Sequence, residues 1–169
     1  LFYPLSGISQ ENSIHKLFPE IESSFSDKKK YASGKKEVIV TANKYATDAG
    51  KSILEKGGNA ADASVTVQLI LGLVEPQSSG IGGGGFALYY DNNSKTVTNY
   101  DGREKAPRNI KHNIFQDNNG SPLKFFDAVI GGRSVGVPGI VDMLYTMHND
   151  HGRLPWNIVI EPAIKLAEK

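Results

Sequence analysis

Asn59–Val74 reads NAADASVTVQLILGLV and runs on through EPQSSGIGGGGFALYYD (75–91) to TVTNYDGREKAP (96–107). This stretch decides the fold. Asn59 is placed to cap a helix, its side-chain oxygen accepting from the unsatisfied N–H groups of the first turn, with Asp62 three residues on completing a capping box. Ala60, Ala61, Ala63, Val65, Val67, Leu69, Ile70, Leu71 and Leu73 leave almost no polar face, so the helix is expected to be buried on most sides. Glu75-Pro76 ends it, because the residue before proline is pushed out of the helical region. Gly80–Gly85 then gives a hinge in which a strand can bend and another backbone can approach closely. Phe86–Tyr90 and Lys95–Tyr100 read as two strands of a hairpin about the Asp91–Ser94 turn.

Upstream, Glu37–Ala42 is β-branched and uninterrupted and reads as a short buried strand. Asn43 caps the next helix, whose apolar face is Ala46, Ala49 and Ile53 and which Gly57-Gly58 stops. Residues 1–36 are polar and charged. Ile14, Leu17, Phe18, Ile21 and Phe25 have helical spacing, but Pro19 interrupts it, and a solvated extension is the better reading. The Lys28–Lys30 run reads as a solvated turn. Downstream, residues 108–132 are loop-rich, with turns at Asp117–Gly120 and Gly131-Gly132. Ser134–Gly139 leads into a helix at about 139–150, with Ile140, Leu144 and Met147 on one face. His151–Trp156 reads as a turn. A last helix is expected to open at Glu161-Pro162, with proline in its first turn.

Composition narrows the function. The chain has 169 residues, 39% apolar and 22% charged, with a net charge of +1. That balance gives no field favouring nucleic acid or an anionic membrane, and no apolar run reaches the roughly 18 residues of a membrane span. The chain opens on Leu1, and LFYPLSG lacks the basic and long apolar regions of a signal peptide. There is no cysteine, so thiolate chemistry is excluded. The four histidines show no metal-ligand spacing, and no metal or cofactor is expected. His148 reads as a surface or capping histidine, and Asp62 as a cap rather than a catalytic carboxylate. No serine sits in a nucleophile elbow. Gly80, Gly82 and Gly85 match G-x-G-x-x-G, but here a helix precedes and a strand follows, the reverse of what a dinucleotide site requires.

Arg103 is the candidate binding residue. Gly102 before it and Ala106-Pro107 after it fix the backbone at a strand exit. A planar guanidinium there can hold a carboxylate through two parallel hydrogen bonds. The other reading is a structural ion pair with Asp101 or Glu104, and the residues alone leave both open.

KSILEKGGNAADASVTVQLILGLVEPQSSGIGGGGFALYYD, DGREKAP, SVGVPGIV and HGRLPWNIVIEPAIKLAE resemble, in order, the N-terminal part of the large subunit of γ-glutamyltransferases. The resemblance covers roughly residues 37–169, and residues 1–36 stand apart as an extension. It implies an α/β fold of the N-terminal nucleophile hydrolase class, an αββα sandwich of which only the N-terminal portion is present here. It also implies a precursor that cuts itself, exposing an N-terminal threonine on a small subunit. That threonine takes the γ-glutamyl group of glutathione or another γ-glutamyl donor and passes it to water or to an amino-acid or peptide amine. Arg103 in DGREKAP matches the arginine that grips the donor α-carboxylate. Glu104 and Asp101 stand as supporting residues, and Gly82–Gly85 as framework under the pocket.

The nucleophile lies outside this chain, so no catalytic residue is expected in it. Thr41, Thr47 and Thr66 cannot replace a free N-terminal threonine, and the isolated chain is expected to be inactive. Periplasmic or secreted localisation follows from the resemblance. A related acylase or a poly-γ-glutamate depolymerase is the alternative within the fold. A non-catalytic binding or scaffold fragment is the alternative outside it.

Overall fold

The structure, a computed structural model, describes residues 31–169. The readings of the 14–25 segment and of Lys28–Lys30 lie outside those residues. Among the described residues five α-helices and one hairpin follow in order. They are α1 (Lys44–Glu55), α2 (Ala60–Val74), β1 (Phe86–Asp91), β2 (Thr96–Asp101), α3 (Phe125–Val129), α4 (Ile140–His151) and α5 (Trp156–Ala167).

The expected helix starts form by the expected chemistry. Asn43 accepts from the Tyr45 N–H at 3.0 Å. Asn59 accepts from Ala61 N–H and Asp62 N–H, while Asp62 Oδ2 accepts from Asn59 N–H at 2.8 Å, a complete capping box. The chain leaves α1 through Gly57, whose φ of 91° no side-chain-bearing residue adopts cheaply. Helix α2 is the centre of the molecule. It packs on α1, α5 and α4. Ala61, Val65 and Thr66 are wholly buried, whereas Ser64 and Leu73 reach solvent. One core cluster joins Ile53, Val65, Tyr100, Ile140, Leu144 and Val159, and a second joins Ala46, Ile70 and Ala163.

β1 and β2 pair antiparallel in the register Phe86↔Asp101 through Asp91↔Thr96. Side chains alternate across the sheet. Tyr100 is buried and Ala87 and Tyr89 pack on the core, while Phe86, Leu88, Tyr90 and Val97 on the other face are exposed.

Three expectations are corrected. Glu37–Ala42 is not a buried strand: Val38 and Val40 are exposed, and of its apolar residues Ile39 alone packs against the core. A strand needs a neighbour to take its N–H and C=O groups, and the described residues pair β1 only with β2. The last helix starts at Trp156, not at Glu161, so Pro162 lies in its interior. Trp156, Val159, Ile160 and Ala163 form one continuous inward stripe, and its burial outweighs the missing proline N–H. Within the loop-rich 108–132 region, Phe125–Val129 forms a short helix none of whose residues is buried.

Candidate functional site at the exit of β2

The hairpin continues one pair beyond its strands, because Gly102 and Gly85 exchange hydrogen bonds of 2.9 and 3.3 Å. Helix α4 lies directly across this exit. A Cβ on Gly102 would stand 2.6 Å from Met143 Cβ and 3.0 Å from the Gly139 carbonyl, so only glycine admits the helix so close. Two residues on, Lys105 and Val137 exchange backbone hydrogen bonds of 2.8 and 3.2 Å. Arg103 and Glu104 are therefore held between two fixed points of the chain.

The two carboxylates beside Arg103 divide the work. Asp101 Oδ1 accepts from the Arg103 backbone N–H at 2.9 Å, shaping the turn. Glu104 Oε2 lies 3.5 Å from Arg103 Nη1. That oxygen is buried and has no hydrogen-bond partner among the described residues. The Arg103 side chain is 69% exposed. The structural ion pair left open by the sequence thus exists, with Glu104 rather than Asp101. It is a loose contact that uses one edge of the guanidinium, and the rest of the fork faces solvent. In water such an exposed charge gains little from a partner. Enclosed by a second surface, the same cation would bind a carboxylate far more firmly.

A cavity of about 560 Å³ lies elsewhere, between residues 36–41 and helices α1 and α2, lined by Leu54, Asn59, Ala63 and Val67 among others. It does not reach Arg103. Thr41 on its wall shares its hydroxyl with Thr47 Oγ1 at 2.7 Å, and Thr66 is fully buried, donating to the Val159 carbonyl at 2.6 Å. Among the described residues no three His, Asp or Glu side chains are gathered to hold a metal.

Two polar clusters support the scaffold. Asp62 is completely buried yet fully satisfied. Besides the cap it accepts from Arg153 N–H at 3.1 Å and Leu154 N–H at 3.3 Å, and His148 Nε2 lies 3.2 Å from its Oδ1. The reading of Asp62 as a cap stands, with a second role that the sequence did not reveal. Of the two readings of His148, the surface one is corrected: it is 8% exposed, and its Nε2 also approaches the Leu154 carbonyl just past the end of α4 at 3.0 Å. The 152–155 link folds back over the last turn of α4 and covers it. The signal was Gly152, where a Cβ would lie 2.6 Å from the His148 ring.

In the second cluster His151 stacks on Tyr89 at 3.9 Å, and Tyr100 donates to Asp150 Oδ2 at 2.7 Å. Burial, and then the bond to Asp150, pushes the Tyr100 hydroxyl up to about 12.

The family model and the relatives that follow point to the same family. The gamma-glutamyltranspeptidase family model matches residues 46–169. The glutathione hydrolase proenzyme of Bacillus subtilis (strain 168) is 41% identical over 146 residues, covering 86% of this chain and 25% of the relative. Glutathione hydrolase 2 of Arabidopsis thaliana is 48% identical over 118 residues, 70% of this chain and 19% of the relative. The crystal structure of Helicobacter pylori gamma-glutamyltranspeptidase superposes with a TM-score of 0.75 at 34% identity, over 82% of this chain and 39% of that one. The chain spans about a quarter of the length of its Bacillus relative.

Proposed function

This chain belongs to the gamma-glutamyltranspeptidase family, and from that premise we propose that it is the N-terminal part of the large subunit and supplies the donor grip. Arg103 binds the α-carboxylate of a γ-glutamyl donor such as glutathione. The observation that supports this is the guanidinium at the exit of β2: its backbone is pinned on both sides, one edge meets Glu104, and the remainder is open. Anchoring the far end of the donor presents its γ-carbonyl to a nucleophile on another polypeptide.

In this reading the small subunit, released from the same precursor by self-cleavage, begins with threonine. Its α-amine takes the hydroxyl proton as the oxygen attacks the γ-carbonyl. The amide C–N bond breaks, the leaving amine receives that proton, and an ester to the threonine remains. Water, or the amine of an amino acid or peptide, then attacks the ester and restores the hydroxyl. The chain described here holds the substrate and performs no proton transfer. Action outside the cytoplasm, in the periplasm or as a secreted protein, belongs to the same proposal.

The test is Arg103→Ala in the enzyme assembled with its small subunit. A charge-assisted bond of about 1.5–3 kcal/mol is lost, so KM for γ-glutamyl-p-nitroanilide should rise about ten- to a hundredfold. Arg103→Lys should restore little, because an ammonium cannot make the two-pronged contact. Near-normal KM in either variant would refute the role.

A further inference from the structure

The Asp117–Gly120 turn closes a small hairpin at the surface. Gln116 and Pro122 face each other as an isolated antiparallel bridge. Leu123 N–H donates to the Phe115 carbonyl at 2.9 Å, and Asp117 N–H to the Ser121 carbonyl at 2.8 Å. Asp117 Oδ1 accepts from Asn119 N–H at 2.8 Å and from Ser121 N–H at 2.9 Å. Gly120 supplies the left-handed step of the turn, with a φ of 79°. Residues 117–121 are all exposed.

Asn119-Gly120 is the one Asn-Gly pair in the sequence. The Asn119 carboxamide makes no hydrogen bond among the described residues. Gly120 N–H is held by the Asp117 carbonyl at 3.1 Å. A single exposed backbone bond of this kind contributes little to stability, so the turn opens often and frees the nitrogen. Gly120 carries no Cβ to obstruct that nitrogen as it turns toward Asn119 Cγ. The one Asp-Gly pair, Asp101-Gly102, has related chemistry and the opposite setting. Gly102 is buried, with its N–H donating to the Gly85 carbonyl at 2.9 Å and α4 packed on its Cα. Asp101 Oδ1 is engaged by Arg103 N–H at 2.9 Å.

We propose that Asn119 is a site of spontaneous deamidation, a covalent change that needs water and no second enzyme. The Gly120 nitrogen attacks Asn119 Cγ. A C–N bond forms and closes an imide ring. The Cγ–Nδ2 bond breaks, and Nδ2 leaves as ammonia, taking the proton that the Gly120 nitrogen gives up. Water then opens the ring at either carbonyl. One opening leaves aspartate. The other leaves isoaspartate, in which the backbone runs through Cγ. Either product takes one unit from the formal net charge of +1 and sets a carboxylate beside that of Asp117. The isoaspartyl form also lengthens the backbone by one carbon, so Asp117 Oδ1 loses its simultaneous reach to the two N–H groups, and the 115–123 hairpin loosens.

The experiment holds the chain, alone and assembled with its small subunit, in warm, mildly alkaline buffer and follows it by peptide mass mapping. A free peptide of residues 113–124 is the reference. The Asn119 segment should gain the mass of an amide exchanged for an acid and separate into aspartyl and isoaspartyl forms. Its rate should be no more than about tenfold below that of the free peptide, the hold of one surface hydrogen bond. Hydroxylamine, which cleaves the imide, should cut the folded chain between residues 119 and 120 and leave the 101–102 link whole. Asn119→Gln should abolish both signals. An Asn119 that stays intact while the free peptide is converted overturns the inference. So does equal conversion at the exposed Asn92 or Asn118, or equal isomerisation at Asp101. Neither result bears on the donor grip of Arg103.

Discussion

Asp62 and Tyr100 are the two single residues whose chemistry the fold depends on most visibly. Asp62 gathers donors from Asn59, Arg153 and Leu154 and the ring of His148. Replacing it with alanine strands those groups in the core. Asp62→Ala should therefore cost about 3–5 kcal/mol in urea unfolding, well beyond the ~1 kcal/mol of a lost cap. Tyr100 gives a pH signature. Its hydroxyl ionises at about 12 in the fold, against about 10 in an unfolded chain. Its contribution to stability is thus complete below pH ~10 and lost as the pH rises through ~12. Tyr100→Phe should be less stable than the parent at pH 8, and the gap should narrow between pH ~10 and ~12 in thermal unfolding.

Among the elements, α5 is the one in tension with its own sequence. Pro162 has no N–H to give the Ile158 carbonyl four residues back, yet the helix runs through it from Trp156 to Ala167. The inward stripe of Trp156, Val159 and Ala163 holds the helix in place despite that loss. Pro162→Ala keeps the stripe and restores the donor, so it should stabilise the chain by about 1–3 kcal/mol, measured by urea unfolding. α2 carries no such tension. Its propensity, caps and burial point the same way, which is why its limits could be read in advance from Asn59 and Pro76. The Glu37–Ala42 segment is the converse case. Its β-branched composition specifies an extended chain, but composition cannot supply the neighbour that makes an extended chain a strand.

At the scale of the whole molecule, a packed core coexists with exposed apolar side chains. The helical side encloses two apolar clusters, whereas Phe86, Leu88, Tyr90 and Val97 on the hairpin and Val38 and Val40 beside α1 are open to water. Exposed apolar surface of this extent is what an interacting partner covers. The isolated chain should bind a dye such as ANS, and the assembled enzyme should bind much less of it. Release of p-nitroaniline from γ-glutamyl-p-nitroanilide should be undetectable with the isolated chain and restored on assembly. Turnover by the chain alone would contradict the assignment of the nucleophile to a partner.

What the sequence determined by itself was local. Helix caps, the glycine stop after α1, the hairpin and the order of family motifs depend on contacts within a few residues, and these contacts are written in the chain. The mixed α/β character followed from those elements, and the family's N-terminal nucleophile hydrolase fold agrees with it. What only the tertiary structure decided joins residues far apart in the chain. Asp62 meets the 148–154 segment, Gly136 meets Glu104, and Arg103 takes Glu104 rather than Asp101 as its ionic neighbour. Which of two nearby carboxylates faces a cation turns on the rotamers they adopt in the fold, which no pattern along the chain reveals.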